Sequence, residues 1–180
     1  MRALVIYESM FGNTRQVAEA VADGLARHGQ VDLVEVGRAM LPLPEDLDLL
    51  VIGGPTHAFG MTRPNTRQSA TQQTSEPLVS TGIGIREWLE RLARSGRKVD
   101  TAVFDTRFDK PAWMTGSAAR GAAKRIKRMG MPLAAPPMSF IVTGMAGPLA
   151  EGEPARARAW ADTLAHHSGF SPEQGWRPPV

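Results

Sequence analysis

Five short apolar runs punctuate the sequence, with stretches of helical periodicity set between and after them. Ala3–Tyr7, Val31–Val36, Leu47–Gly54, Lys98–Asp105 and Met138–Thr143 read as strands. The first and third are almost continuously apolar, as strands covered on both faces are. Val31–Val36 alternates more and reads as an edge strand. A helix is expected from Asn13, with Gln16 at capping-box spacing and Val17, Ala20, Val21, Gly24 and Leu25 on one face, ending at Gly29. Further helices are expected over Ile85–Arg94, Gly116–Met129 and Pro154–His166. Strands alternating with helices imply a parallel sheet with helices on both faces. Right-handed crossovers then favour an α/β, doubly wound five-stranded parallel sheet of order 2-1-3-4-5. That order puts a binding crevice beyond the carboxyl ends of the first and third strands.

The 180 residues suit one domain, and 42% hydrophobic content supplies its core. The absence of cysteine excludes disulfides, thiol catalysis and thiolate metal sites. The N-terminus lacks a signal-peptide pattern and no run reaches membrane-spanning length, so the cytoplasm is the expected location. The formal charge is +3, with a cluster at Arg120, Lys124, Arg125, Lys127 and Arg128. No nucleic-acid motif accompanies that cluster, which reads as a solvated helix face. The domain is expected over residues 1–168. Met61–Gly82 reads as a long polar loop and 169–180 as a flexible tail.

Three loops fall at the crevice. The first is Ser9-Met10-Phe11-Gly12-Asn13-Thr14. Its hydroxyls and amide, its glycine and the helix start beside it suit an oxyanion, and the lack of lysine suits a monoester phosphate held permanently. Taken alone, it also fits an ordinary capped strand–helix joint. The second is Gly53-Gly54-Pro55-Thr56-His57-Ala58-Phe59-Gly60, where His57 and Phe59 can flank a planar ring. The third begins at Asp105-Thr106-Arg107-Phe108 and continues to Trp113.

Together these motifs resemble the flavodoxin family. Its first loop reads Ser/Thr-x-x-Gly-x-Thr, and its second reads Gly-x-Pro-Thr followed by an aromatic residue. The resemblance extends along the strand–helix order to about residue 166; the third loop matches weakly. It implies a flavodoxin-like fold, FMN as cofactor, and electron transfer with a redox partner protein or a small-molecule donor or acceptor. Carried over by position, Ser9, Met10, Phe11, Gly12, Asn13 and Thr14 would hold the phosphate. Pro55, Thr56, His57, Ala58, Phe59 and Gly60 would line one side of the flavin ring. Asp105, Thr106, Arg107 and Phe108 would begin the other side. Flavodoxins usually place Trp or Tyr where His57 stands, and they are strongly acidic where this chain is slightly basic.

Two other readings stay open. One is an FMN-dependent NAD(P)H:quinone or protoporphyrinogen oxidoreductase with 61–82 as a substrate lid. The other is a flavin-free interaction module on the same fold. His57 reads either as a ring-edge contact or as a proton donor. Trp88 and Trp160 read as core, whereas Trp113 lies outside the core pattern at the ligand end. Arg63, Arg67 and Arg107 read as solvated or as contacts to an anionic substrate. No hydrolytic triad or metal-ligand set appears at the strand ends.

Overall fold

The computed structural model describes residues 1–72, 75 and 77–167; the expected tail at 169–180 lies outside the described residues. Strand β1 (Arg2–Tyr7) is followed by helix α1 (Asn13–Ala26), β2 (Gln30–Glu35), β3 (Leu49–His57) and a two-residue β4 (Gly60–Met61). Helices α2 (Pro64–Thr71) and α3 (Ile85–Leu92) precede β5 (Asp100–Phe108). Then come α4 (Ala112–Thr115), α5 (Ala118–Arg128), β6 (Met138–Val142) and α6 (Glu153–His167). The parallel strands lie in the order β2-β1-β3-β5-β6, which is the expected 2-1-3-4-5.

The alternation of side chains along each strand divides the core in two. Leu4, Ile6, Leu50, Ile52 and Val103 face α3 and α5, where Trp88, Leu89, Leu92 and Ile126 complete one cluster. Ala3, Val5, Leu49, Val51 and Phe104 face the other way, onto Val17, Val21 and Leu25 of α1 and Trp160 and Leu164 of α6. Each fully buried aliphatic side chain contributes about 1.5–3 kcal/mol of transfer free energy. α1 and α6 pack so closely that a Cβ on Gly24 would stand 2.6 Å from the Ala161 Cβ.

Several elements differ from the sequence reading. β3 and β5 run three residues further than expected, because their mutual pairing continues to Pro55↔Thr106, after which Thr56 and His57 pair with β4 and Arg107 and Phe108 with β6. The Thr56–Phe59 and Thr106–Phe108 regions are therefore held largely by strands rather than by free loops. The 61–82 segment is not a structureless loop. It holds β4 and the helix α2, which has Pro64 in its first turn and buries Ala70 alone. Asn13 is not a cap. Gly12 takes the N-cap position at φ +91°, a left-handed conformation natural to glycine, and α1 ends at Ala26 rather than at Gly29. Among the described residues, no helix is long and apolar enough to cross a membrane.

Candidate functional site

The carboxyl ends of β1, β3 and β5 open into a cleft of about 70 Å³. Its floor is the β1–α1 loop. Gly12 turns the chain so that its N–H donates to Ser9 Oγ (3.1 Å), and no atom of the described residues lies within 4 Å of the place a Gly12 Cβ would occupy. Among the described residues, the first-turn amides of α1, at Asn13, Thr14 and Arg15, have no main-chain partner, as helix geometry dictates. They add the positive end of the helix dipole to the same open space. The Thr14 and Thr106 hydroxyls share a hydrogen bond of 2.7 Å. One donates to the other, so one hydroxyl proton of the pair remains for a ligand.

The loop is held from outside as well. Ser9 N–H donates to Ser80 Oγ (3.0 Å), Ser80 N–H to Ser9 O (2.8 Å) and Val79 N–H to Met10 O (3.1 Å). Beside it, buried Glu8 accepts from Ile85 N–H (2.8 Å) and from the Thr62 hydroxyl. Arg67 donates to Thr62 Oγ1 (3.0 Å) and pairs with Glu87 (3.2 Å). The segment after β3 is thus fastened to the cleft floor by its polar side chains. Burial pushes the Glu8 carboxyl above its ordinary value, against the opposing pull of Thr62, Ile85 and Arg67.

Pro55, Thr56 and His57 form one wall, and Thr106, Arg107 and Phe108 the facing one. Burial lowers the His57 pKa, so its imidazole is neutral at pH 7. Arg107 Nε is buried without a hydrogen-bond partner among the described residues, although its guanidinium donates to Phe108 O (3.2 Å) and Lys110 O. A cationic group short of acceptors on a cleft wall suits an anionic ligand.

Of the residues singled out in the sequence, the cleft brings together Ser9, Met10, Phe11, Asn13, Thr14, Pro55, Thr56, His57, Thr106, Arg107 and Phe108. Gly12 sits at the turn between them. The structure does not bring Ala58, Phe59 and Gly60 to this cleft: they lie on the other side of the β3–β4 hairpin, over a hollow beside α5. Nor does Asp105 line it. Asp105 is fully buried, and its Oδ2 accepts from Thr56 Oγ1 (3.0 Å), Ser117 Oγ (2.6 Å) and Ala119 N–H (3.0 Å). It positions Thr56 and the start of α5. Ala58 and Phe59 both adopt positive φ, 43° and 72°, in a hairpin turn that ordinarily uses Asn and Gly. Such backbone costs about 1–3 kcal/mol per residue.

One wall escaped the sequence reading. Val142 at the end of β6 and Met145 of the β6–α6 connection border the cleft, and the Asn13 amide donates to Ala146 O (3.0 Å) to hold that connection in place. Beyond its two glycines and the Thr143 hydroxyl, which donates to Pro148 O (3.1 Å), the stretch Thr-Gly-Met-Ala-Gly-Pro carries no charged or polar side chain by which a ligand contact is recognised.

This architecture recurs in solved structures. An archaeal flavodoxin shares 17% identity, with a TM-score of 0.68 over 94% of this chain and 100% of that one. Oxidised flavodoxin 2 from Bacillus cereus shares 18%, with a TM-score of 0.55 over 92% and 99%. A WrbA-like flavodoxin from Agrobacterium tumefaciens shares 17%, at 0.54 over 93% and 97%. These likenesses establish a flavodoxin fold. No curated protein sequence matches the chain. The family model for flavodoxins matches residues 5–99, more than half its length. The chain therefore belongs to the flavodoxin family, an FMN-binding electron-transfer flavoprotein that works with a redox partner. The residues fit FMN on their own terms: an open Gly12 turn, unpartnered helix-start amides, hydroxyl donors and no lysine suit a phosphate monoester.

Proposed function

We propose that this chain holds FMN in the β1–α1/β3/β5 cleft and exchanges electrons with a separate protein at the cleft mouth. When bound, FMN supplies one- and two-electron redox chemistry. The chain's own residues bind and orient it. The Gly12 turn and the amides of Asn13, Thr14 and Arg15 would receive the phosphate, with a hydroxyl from the Thr14–Thr106 pair. The Pro55–His57 and Thr106–Phe108 walls would set the plane of the ring. Neutral His57 adds no charge to that wall at pH 7 and offers one ring nitrogen as donor or acceptor.

The observation that carries this reading is the α1 start, where an empty glycine turn and unpartnered amides converge on one space. FMN titration of the apoprotein, beside Thr14→Ala, tests it. FMN at about 100 times its dissociation constant should stabilise the wild type by roughly 2.7 kcal/mol. Thr14→Ala should weaken binding by about 1.5–3 kcal/mol, the worth of a hydrogen bond to a charged group. Equal FMN affinity in wild type and variant would place the phosphate elsewhere.

The oxidoreductase reading is disfavoured by the fastening of 61–82. A lid must open, yet Thr62, Arg67, Val79 and Ser80 are each bonded to the rest of the fold. Steady-state NAD(P)H:quinone turnover without any added protein would restore that reading.

A further inference from the structure

The cluster on α5 belongs to a larger cationic surface than the helix alone presents. Between residues 107 and 131 the chain carries seven cations and one acid, Asp109. With a whole-chain charge of only +3, the remainder is net acidic. Beside the β3–β4 hairpin lies a hollow of about 300 Å³, and Arg63, Arg86, Lys124, Arg125 and Arg128 converge on it from the β4–α2 link, α3 and α5. Arg125 pairs with Glu90 (3.0 Å), and Arg86 is tied to the carbonyls of Met61 and Thr62. Arg63, Lys124 and Arg128 have no carboxylate at ion-pair distance among the described residues. The positive charge of Arg63 and Arg125 adds to burial in lowering the Arg86 pKa, so the group repels itself. Basic residues in the last turn of α5 suit its dipole, but that accounts for neither Arg63 nor Arg86, which come from other elements.

An apolar ridge borders this hollow at the hairpin. Phe59 is 71% exposed at the strained hairpin tip, and Trp113 of α4 is 82% exposed. Gly116, directly after α4, bridges to Phe59, so hairpin and α4 form one ridge. Holding a phenylalanine out to water on left-handed backbone is unfavourable twice over, and contact with another molecule is what gives that arrangement a use. An exposed aromatic core beside a charged rim is the anatomy of a protein interface.

We propose that this surface docks an acidic redox protein, with Phe59 and Trp113 as the apolar centre and the Arg63–Arg86–Lys124–Arg128 group as the steering rim. The proposal rests on the electron-transfer reading above. It reverses the polarity by which acidic flavodoxins meet basic reductases. The hairpin is shared: its His57 side faces the cleft and its Ala58–Gly60 side faces the hollow. A partner seated on the ridge therefore lies directly beside the cleft mouth.

The test is association, read by fluorescence anisotropy on the FMN-loaded protein at low and at physiological salt. The probes are an acidic haem protein (cytochrome b5) and a basic one (cytochrome c). Cytochrome b5 should bind the more tightly, and about tenfold more weakly at the higher salt. The double variant Lys124→Glu/Arg128→Glu should abolish that preference while leaving FMN affinity unchanged. Phe59→Gly should weaken association yet raise Tm by about 2–4 °C, which a merely structural phenylalanine would not do. Equal binding of both probes, or indifference of cytochrome b5 to the charge reversal, would overturn the proposal. So would tighter binding of duplex DNA or of phosphatidylserine vesicles that disappears in the same double variant. Loss of FMN binding would instead count against the cofactor reading, because the association measurement needs no electron transfer.

Discussion

Two titratable side chains beside the cleft pull stability in opposite directions as pH changes. Glu8 is buried with a raised pKa, so the fold prefers the protonated acid. Its contribution is complete below the unfolded value of 4.5 and is lost as pH rises through the higher folded value. His57 has a lowered pKa, so the fold prefers the neutral ring. Its contribution is complete above 6.5 and is lost as pH falls through the folded value. Thermal unfolding followed from about pH 4 to 8 should therefore change slope in each single variant. Glu8→Gln should remove the decline toward higher pH, and His57→Phe the decline toward lower pH. A uniform drop in Tm at every pH would show that these residues act by packing alone. Neither shift was legible in the sequence. The pattern placed His57 at the ligand end, but burial by the neighbouring strand belongs to the fold. Glu8 sat in plain view beside Ser9 without any sign that Thr62 and Ile85 would meet it. Asp105 was visible as a strand-end carboxylate, but its three donors come from β3 and the start of α5, and only the folded chain brings them together.

At the level of elements, the apolar strands and amphipathic helices declared themselves, because burial on both sheet faces leaves the periodicity no alternative. α2 did not. Its residues Pro-Asn-Thr-Arg-Gln-Ser-Ala-Thr bury Ala70 alone, so no apolar stripe marks it, and Pro64 in the first turn was the available signal. The strand ends were also hidden. Thr56, His57, Arg107 and Phe108 are polar or mixed, and only pairing with β4 and β6 makes them strand, beyond the end of the β3–β5 ladder at Pro55↔Thr106. That ladder depends on a small residue. A Cβ on Gly53 would stand 2.0 Å from the Phe104 ring, which packs edge-on against Phe140 and Trp160. Gly53→Ala should thus cost about 1–3 kcal/mol by urea unfolding, as overpacked cores do. Adding Phe104→Leu should recover part of the loss. A neutral single variant would mean that the aromatic cluster has slack.

For the whole molecule, alternation of strand and helix was sufficient for the topology, since right-handed crossovers leave few ways to order five parallel strands. The cleft was legible where its walls carry glycine, proline and hydroxyl motifs. It was illegible where Met145 and Val142 complete it, because a wall built from ordinary residues is defined by position only. The strap at Val79 and Ser80 bears on how the cofactor arrives. Three hydrogen bonds hold the Ser9–Met10 backbone independently of any ligand. Binding then has little chain entropy left to remove, and uptake becomes a preorganised, lock-and-key event rather than an induced fit. Amide exchange at Glu8 and Ser9, whose N–H groups donate to Gly53 O and Ser80 Oγ, should consequently be slow already in the apoprotein and change little when FMN is added. A large gain in protection would show that the ligand orders the loop. If it is slow from the start, the protein can lose and regain its cofactor without reshaping the pocket.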